Sequence, residues 1–398
     1  MSARPVVSGL PALVSAALLG TMAMMAFVSV IGPVVRVLGL AEWHAGLSVT
    51  AAGVLWMLSA RRWGALSDRI GRKRVLLIAL AAYAVIYVAL AVFVDVALTS
   101  PPAVRISVLV LVGTRALVGL FYAAVPPTAA AIIADQAAPG QRGSVMAKLG
   151  TANALGMVLG PAAAGWIAYQ NLSLTLYVAA LPLLSLLMIW WRLPNTPPVA
   201  PAHTGPKPTL GLGDARLRLP LLAVFVAMIS VTIAQVTVGF FAIDRLQLSP
   251  ADGARMAGLA LTAVGVGLIF AQGLVMKLKD IRPTRWILVG ALISGLGFAS
   301  VALVSVPWQL LASYAFAAFG MGFVFPNFQA LAADSVQAHE QGAAAGTVAS
   351  VQGMGMVVGP MIGTLLYRWS PSAPYLLVGV VLLVLALSAA MHRARGAA

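Results

Sequence analysis

Twelve apolar runs of roughly 20 residues, each long enough to cross a ~30 Å hydrocarbon core as a helix, divide this chain almost from end to end. They fall near 10–36, 45–63, 75–95, 106–133, 144–168 and 172–191, then 219–243, 254–276, 286–306, 308–333, 343–367 and 373–391. Helices that are apolar around their whole circumference and joined by short polar turns are what a bilayer selects. Each backbone amide must there be satisfied within its own segment. At 61% hydrophobic residues, the chain is well above the roughly 45–50% of a soluble domain. The fold class that follows is an all-α polytopic membrane protein, twelve transmembrane helices arranged as two six-helix pseudo-symmetric bundles. Residues 1–192 form the first bundle and 219–398 the second. The stretch 193–218, LPNTPPVAPAHTGPKPTLGLGDARLR, is punctuated by proline and glycine and is too short for a domain, so it reads as a cytoplasmic linker. Only Arg4 precedes the first run, with no small-residue cleavage site in register, and that run is read as an uncleaved helix.

A formal charge of +15 invites a nucleic-acid partner, but the cations sit in short turns between spans rather than on one basic face. The partners expected are the lipid bilayer and a small-molecule substrate, with no nucleic acid, and the chain is expected to be a monomer. The absence of cysteine excludes disulfides and thiolate metal sites, and no metal is expected. With both termini cytoplasmic, that side holds Arg4, the six cations from Arg61 to Arg74, Arg142, Lys148, Arg192, Lys207, Arg216, Arg218, Lys277, Lys279, Arg282, Arg285, Arg393 and Arg395. The other side holds only Arg36, Arg105, Arg245, Arg255 and Arg368, and Arg115 lies within a span. Such an excess of lysine and arginine sets the orientation.

The two halves repeat each other. At an offset of 209, Pro11, Arg36 and Gly64 fall on Pro220, Arg245 and Gly273. At an offset of 199, Pro127 and Asp135 fall on Pro326 and Asp334, and GMVLGP at 156–161 falls on GMVVGP at 355–360. Parallel six-helix repeats are a transporter architecture.

The densest charge in the chain lies between the second and third runs, where Gly64, Asp68, Arg69, Gly71, Arg72 and Lys73 spell G-x-x-x-D-R-x-G-R-K. This resembles the signature of the major facilitator superfamily at that loop. Glycine at 64 permits close helix approach and glycine at 71 a tight turn, while Asp68 can pair with arginine. The resemblance implies a latch on the cytoplasmic ends of the helices, with Asp135 and Arg142 completing a network with Asp68 and Arg72. The second copy has Lys277 in the place of Asp68 and carries no such role. In the fourth run, Leu111, Arg115 and Gly119 resemble the family's helix-4 motif. Arg115 lies about 13 Å into its span at 1.5 Å per residue, where a charge must face a cavity or a partner. Arg115, Gly119, Tyr122 and Pro126 share one face. A lone buried cation points either to an anionic group on the substrate or to proton coupling. In the fifth run Gly156, Gly160 and Pro161 resemble the motif of drug–proton antiporters and tetracycline-efflux-like carriers. Together with Gly355, Gly359 and Pro360 they are read as tightly packed helices, one from each half, that hinge the two halves.

The family's cavity-lining helices supply further candidates: Met25 and Ser29 in the first span, Thr232 and Gln235 in the seventh, Tyr314 in the tenth, and the amides Asn153 and Gln352. Apolar, methionine-rich walls suit bulky organic compounds better than sugars. No buried nucleophile–base pair is visible, so an enzyme is not expected. All ten carboxylates lie in loops or near span ends, and none lies in the first span, where many drug antiporters carry one. The resemblance implies a secondary exporter of the bacterial inner membrane, moving a drug or a secreted metabolite such as a siderophore by proton antiport with alternating access. No cofactor is expected, the proton gradient being the energy source. A proton-coupled importer on the same fold is the alternative.

Overall fold

The computed structural model of the chain describes residues 7–137, 139–178, 182–195, 210–278, 281–337 and 340–395. In chain order, the first unit holds α1 (Leu10–Val37), α2 (Glu42–Ile70), α3 (Arg72–Thr99), α4 (Val104–Tyr122), α5 (Val125–Gln136), α6 (Pro139–Gln170), α7 (Leu172–Val178) and α8 (Pro182–Arg192). A 3₁₀ turn at Ala215–Leu217 leads into α9 (Arg218–Asp244), followed by α10 (Pro250–Lys277) and α11 (Pro283–Ser300). A second turn, Val301–Leu303, precedes α12 (Pro307–Asp334), α13 (Gln341–Tyr367) and α14 (Ala373–Arg395).

Among the described residues, nine stretches are long and apolar enough to cross a membrane: α1, α3, α4 with α5, α9 with the turn before it, and each of α10 to α14. They coincide with nine of the twelve runs read from the sequence. The other three runs correspond to α2, whose last turns carry Arg61, Arg62, Asp68 and Arg69, to α6, and to α7 and α8, which flank residues outside the described set. The fourth run is two helices because Pro126 and Pro127 have no N–H to donate to the carbonyls one turn back. Large apolar side chains such as Val85, Leu109, Phe270 and Leu387 stand on the outside, as lipid contact requires. Exposed Trp190, Trp191, Trp308 and Trp369 lie at or just past helix ends, where an interfacial belt would sit.

The chain divides into two compact units, Met1–His203 and Thr204–Ala398. In the first, α1 packs along α6 and α8, α2 along α4, and α3 against α4 and α8. In the second, α9 packs along α13 and α14, α10 along α12, and α11 against α12 and α14. These pairings correspond element for element, so the sequence repeat is also a repeat of packing. The reason is legible at the glycines. A Cβ added at Gly156 would come within 2.7 Å of the Leu18 carbonyl oxygen, and one at Gly160 within 2.5 Å of that of Met22. On α13, a Cβ at Gly355 would lie 2.7 Å from Met228 Cβ, and one at Gly359 would overlap the Thr232 hydroxyl. Small residues at this spacing let two backbones touch. The close approach that these glycines make is α6 to α1 and α13 to α9, each within its own unit. Pro161 and Pro360, both buried, follow one residue after the second glycine on each helix.

Both ends of the segment joining the units are fastened. Leu193, 1% exposed, packs against Gly9 at the start of α1. In the second unit the Thr347 hydroxyl donates to the Leu210 carbonyl at 2.8 Å. Arg216 grips Glu340 with two nitrogens, at 2.8 and 3.1 Å, and Asp214 with two, at 2.9 and 3.2 Å. Hydrogen bonds from the Arg216 side chain, then from its backbone, hold the Asp214 carboxyl below the usual carboxylate range. A carboxylate held low contributes stability above its ordinary pKa, and that contribution is lost as pH falls through the lowered value. Arg216→Gln is therefore expected to lower the melting temperature at pH 7 by roughly 1–3 °C, the scale of a surface ion pair. The gap to wild type should close as the pH is brought below the carboxylate range. A gap unchanged with pH would show that the carboxylates play no part in it.

Candidate functional site

The signature loop is built on a one-residue turn. α2 ends at Ile70, α3 begins at Arg72, and Gly71 between them has φ +96° and ψ 136°. That φ is in the region only glycine adopts freely. The turn sets Asp68, in the last turn of α2, against Arg72, the first residue of α3. Arg72 Nη2 lies 3.3 Å from Asp68 Oδ1, and Nη1 lies 2.9 Å from Asp135 Oδ2, in the last turn of α5. The arginine side chain is 7% exposed, while the carboxylates are 49% and 47% exposed. All three charges oppose their own helix dipoles, a cation at a helix start and anions at two helix ends. Only their mutual pairing accounts for the arrangement, and it braces α2, α3 and α5 together. Arg69 is exposed and Lys73 half-buried, and the Arg142 side chain lies outside the described residues. At Gly64 an added Cβ would meet nothing within 4 Å among the described residues, so no close approach within its own unit depends on its size.

Deeper in the same unit, the predicted helix-4 face meets α1, α3 and α6. Arg115 is 0% exposed. Its Nη1 donates to the Tyr87 hydroxyl at 2.7 Å, Tyr87 donates to the Ala23 carbonyl at 3.1 Å, and the Phe27 ring centroid lies 4.1 Å from the guanidinium carbon. Tyr83 donates to the Gly20 carbonyl at 2.9 Å and stacks on Tyr122 with ring centroids 4.9 Å apart. The Tyr122 ring fits because Gly20 has no side chain: a Cβ there would overlap it. Thr21 donates its single hydroxyl hydrogen to Asn153 Oδ1 at 2.8 Å. The 3.1 Å contact between Thr21 and Tyr122 must then have the phenol as donor. Of the predicted residues, Arg115, Tyr122 and Asn153 are thus gathered in one cluster. Met25 is half-buried. Ser29 is 0% exposed, and its hydroxyl has no partner among the described residues. Tyr83, Tyr87, Phe27 and Thr21 are members that the sequence motifs do not point to. The one available signal is the pair of tyrosines at i and i+4 in an otherwise aliphatic α3.

In the second unit, Tyr314 occupies the repeat position of Arg115. Its hydroxyl donates to the Ala234 carbonyl at 2.8 Å and lies 2.9 Å from the Tyr375 hydroxyl, which must therefore donate to it. A neutral phenol here ties α12 to α9 and α14. Thr232 bonds its own helix at Met228 and faces Gly355 and Gly359, so it belongs to the α9–α13 crossing. Gln235 and Gln352 are half-buried. Of the carboxylates near span ends, Asp95 is exposed on α3, and Asp244, at the end of α9, accepts from Tyr367 at 3.0 Å.

The sequence model of the Major Facilitator Superfamily matches residues 13–256 and 221–396. The tetracycline resistance protein, class G, of Vibrio anguillarum is 29% identical over 342 residues, 83% of this chain and 82% of the relative. A multi-drug resistance efflux pump PmrA homolog of Lactococcus lactis subsp. lactis is 25% identical over 334 residues, 82% of this chain and 79% of the relative. Among solved structures, the nucleoside transporter NupG superposes with a TM-score of 0.76 over 96% of this chain and 99% of that one, at 12% identity. At that identity the likeness is one of fold alone.

Proposed function

Because this chain belongs to the major facilitator superfamily, and is a membrane transporter rather than an enzyme, we propose that it exports an amphipathic small molecule in exchange for protons. The observation that carries this reading is the α6 face of Gly156, Gly160 and Pro161 pressed onto α1. It resembles the motif of exporter branches, in a chain whose relatives are named for tetracycline resistance and multidrug efflux. On this reading the protein works as a monomer of twelve spans in two six-helix bundles, with its termini on the cytoplasmic face of a bacterial inner membrane. It alternates access to a central site and draws on the proton gradient with no cofactor. The Asp68–Arg72–Asp135 brace is its latch. A drug, or a secreted metabolite of siderophore type, has the apolar body that the methionine- and aromatic-rich helices would accept.

The test uses everted membrane vesicles energised to pump protons inward, offered a panel of amphipathic compounds with tetracycline among them. Vesicles containing the protein should accumulate at least one compound several-fold over control vesicles, and a protonophore should return uptake to background. Uptake that persists with the protonophore present would remove proton coupling. Uptake confined to right-side-out vesicles would reverse the direction.

A further inference from the structure

Arg115 is a fully buried cation, and one of its five N–H donors is hydrogen-bonded among the described residues. One of its terminal nitrogens, Nη1, is held by Tyr87. The Nε and Nη2 nitrogens are buried and have no hydrogen-bond partner among the described residues. These two are not an arbitrary pair. Their N–H bonds run parallel along one edge of the guanidinium plane, the edge that meets both oxygens of a carboxylate in a two-bond fork. No described carboxylate pairs with Arg115, and besides the Tyr87 oxygen the negative potential it meets is the face of the Phe27 ring at 4.1 Å. A buried charge without a counter-ion is the costly half of an ion pair. The aromatic ring stands in for the missing anion only in part.

We propose that the Nε–Nη2 edge of Arg115 receives the carboxylate of the transported molecule, whose class is then an organic monoanion with an apolar, flat body. This rests on the exporter reading and sharpens it. A single negative charge is what the surroundings balance, since the only buried cations among the described residues are Arg115 and the distant loop residue Arg72, already paired. A dianionic phosphate would bring a second charge with no second cation to meet it. The rings of Tyr83, Tyr87, Tyr122 and Trp56, packed against one another in one run beside the cluster, make its surroundings aromatic and apolar. Tyr87, fixed by the Ala23 carbonyl, holds Nη1 so that the opposite edge is presented in a set direction. Phe27 covers the guanidinium face and leaves the edge to the anion.

The probe is 1-naphthoate, with its uncharged isostere 1-naphthamide, chloride and inorganic phosphate as comparisons, titrated against the purified full-length protein in detergent. Naphthoate should raise the melting temperature in a saturable way. Naphthamide, chloride and phosphate at equal concentration should not. Arg115→Lys keeps the charge and removes the fork, and should weaken naphthoate binding at least tenfold. Phe27→Leu removes the stand-in for the anion and should tighten it at least threefold, which decides the matter even where the lysine variant does not fold. Equal stabilisation by naphthamide, or by chloride or phosphate, would overturn the proposal, the latter leaving a site for small inorganic anions. So would an unchanged affinity in Phe27→Leu. Failure of the exporter reading would show separately, in the vesicle assay, and would leave a positive naphthoate titration standing.

Discussion

Exchanging Arg72 for alanine is expected to cut transport roughly five- to thirtyfold while leaving the amount of protein in the membrane near that of wild type. The arginine is the buried hub of its network, with Asp68 and Asp135 on either side. Removing it leaves two carboxylates facing one another at helix ends whose dipoles already disfavour them. Breaking a fully buried pair costs roughly 3–5 kcal/mol. Both carboxylates are about half exposed here, so solvent screening brings the loss nearer to about 1–2 kcal/mol. An interaction present in only one of two conformations shifts their ratio by its full free energy, and about 1.4 kcal/mol is tenfold. That is ample to stall a cycle and too little to unfold two compact units. Arg74→Ala is the comparison, an exposed cation two residues on, and should cost less than twofold. Transport rates of the two variants, normalised to protein in the membrane, check this. Equal rates in both would mean that the loop serves orientation alone.

The second large effect concerns assembly. Gly119→Leu is expected to leave less than a tenth of the wild-type yield of monodisperse protein after detergent extraction. At the crossing of α4 over α2, a Cβ on residue 119 would overlap the Ala52 carbonyl, backbone against backbone. Overpacking against side chains costs about 1–3 kcal/mol because side chains can turn aside. A main-chain carbonyl cannot, so the helices must separate. Gly113→Leu, on the same helix with nothing within 4 Å of the added Cβ, should be recovered at normal yield. Size-exclusion profiles of the two variants side by side decide the point, and a normal profile for Gly119→Leu would sink it.

Much of this protein is legible from residue order because a bilayer enforces it. Span lengths, the loop signature and the two-fold repeat all follow from local composition and spacing. The pairing of Arg72 with Asp68 and Asp135 is what the resemblance to the superfamily's loop signature implies, each residue sitting at a helix end. The Arg115 cluster is harder. Its partners come from α1 and α3, helices apolar on every side, and such helices carry no periodic signal to say which face turns inward. Rotation about the helix axis is then set by packing. Gly20 making room for the Tyr122 ring is a pairing that no spacing rule could supply. The glycine runs on α6 and α13 are contact surfaces, as their spacing implies, but which helices they touch is not written in that spacing.

The fastening of the joining segment has a consequence for engineering. Leu193 is packed on Gly9 and Leu210 is held by Thr347, so the residues on either side of the stretch 194–209 belong to the units they anchor. A cut or an inserted tag within that stretch spares both anchors. A deletion that consumes either anchor removes packing from the unit it belongs to, so the safe cassette for building split or reporter-bearing forms of this transporter begins after Leu193 and ends before Leu210.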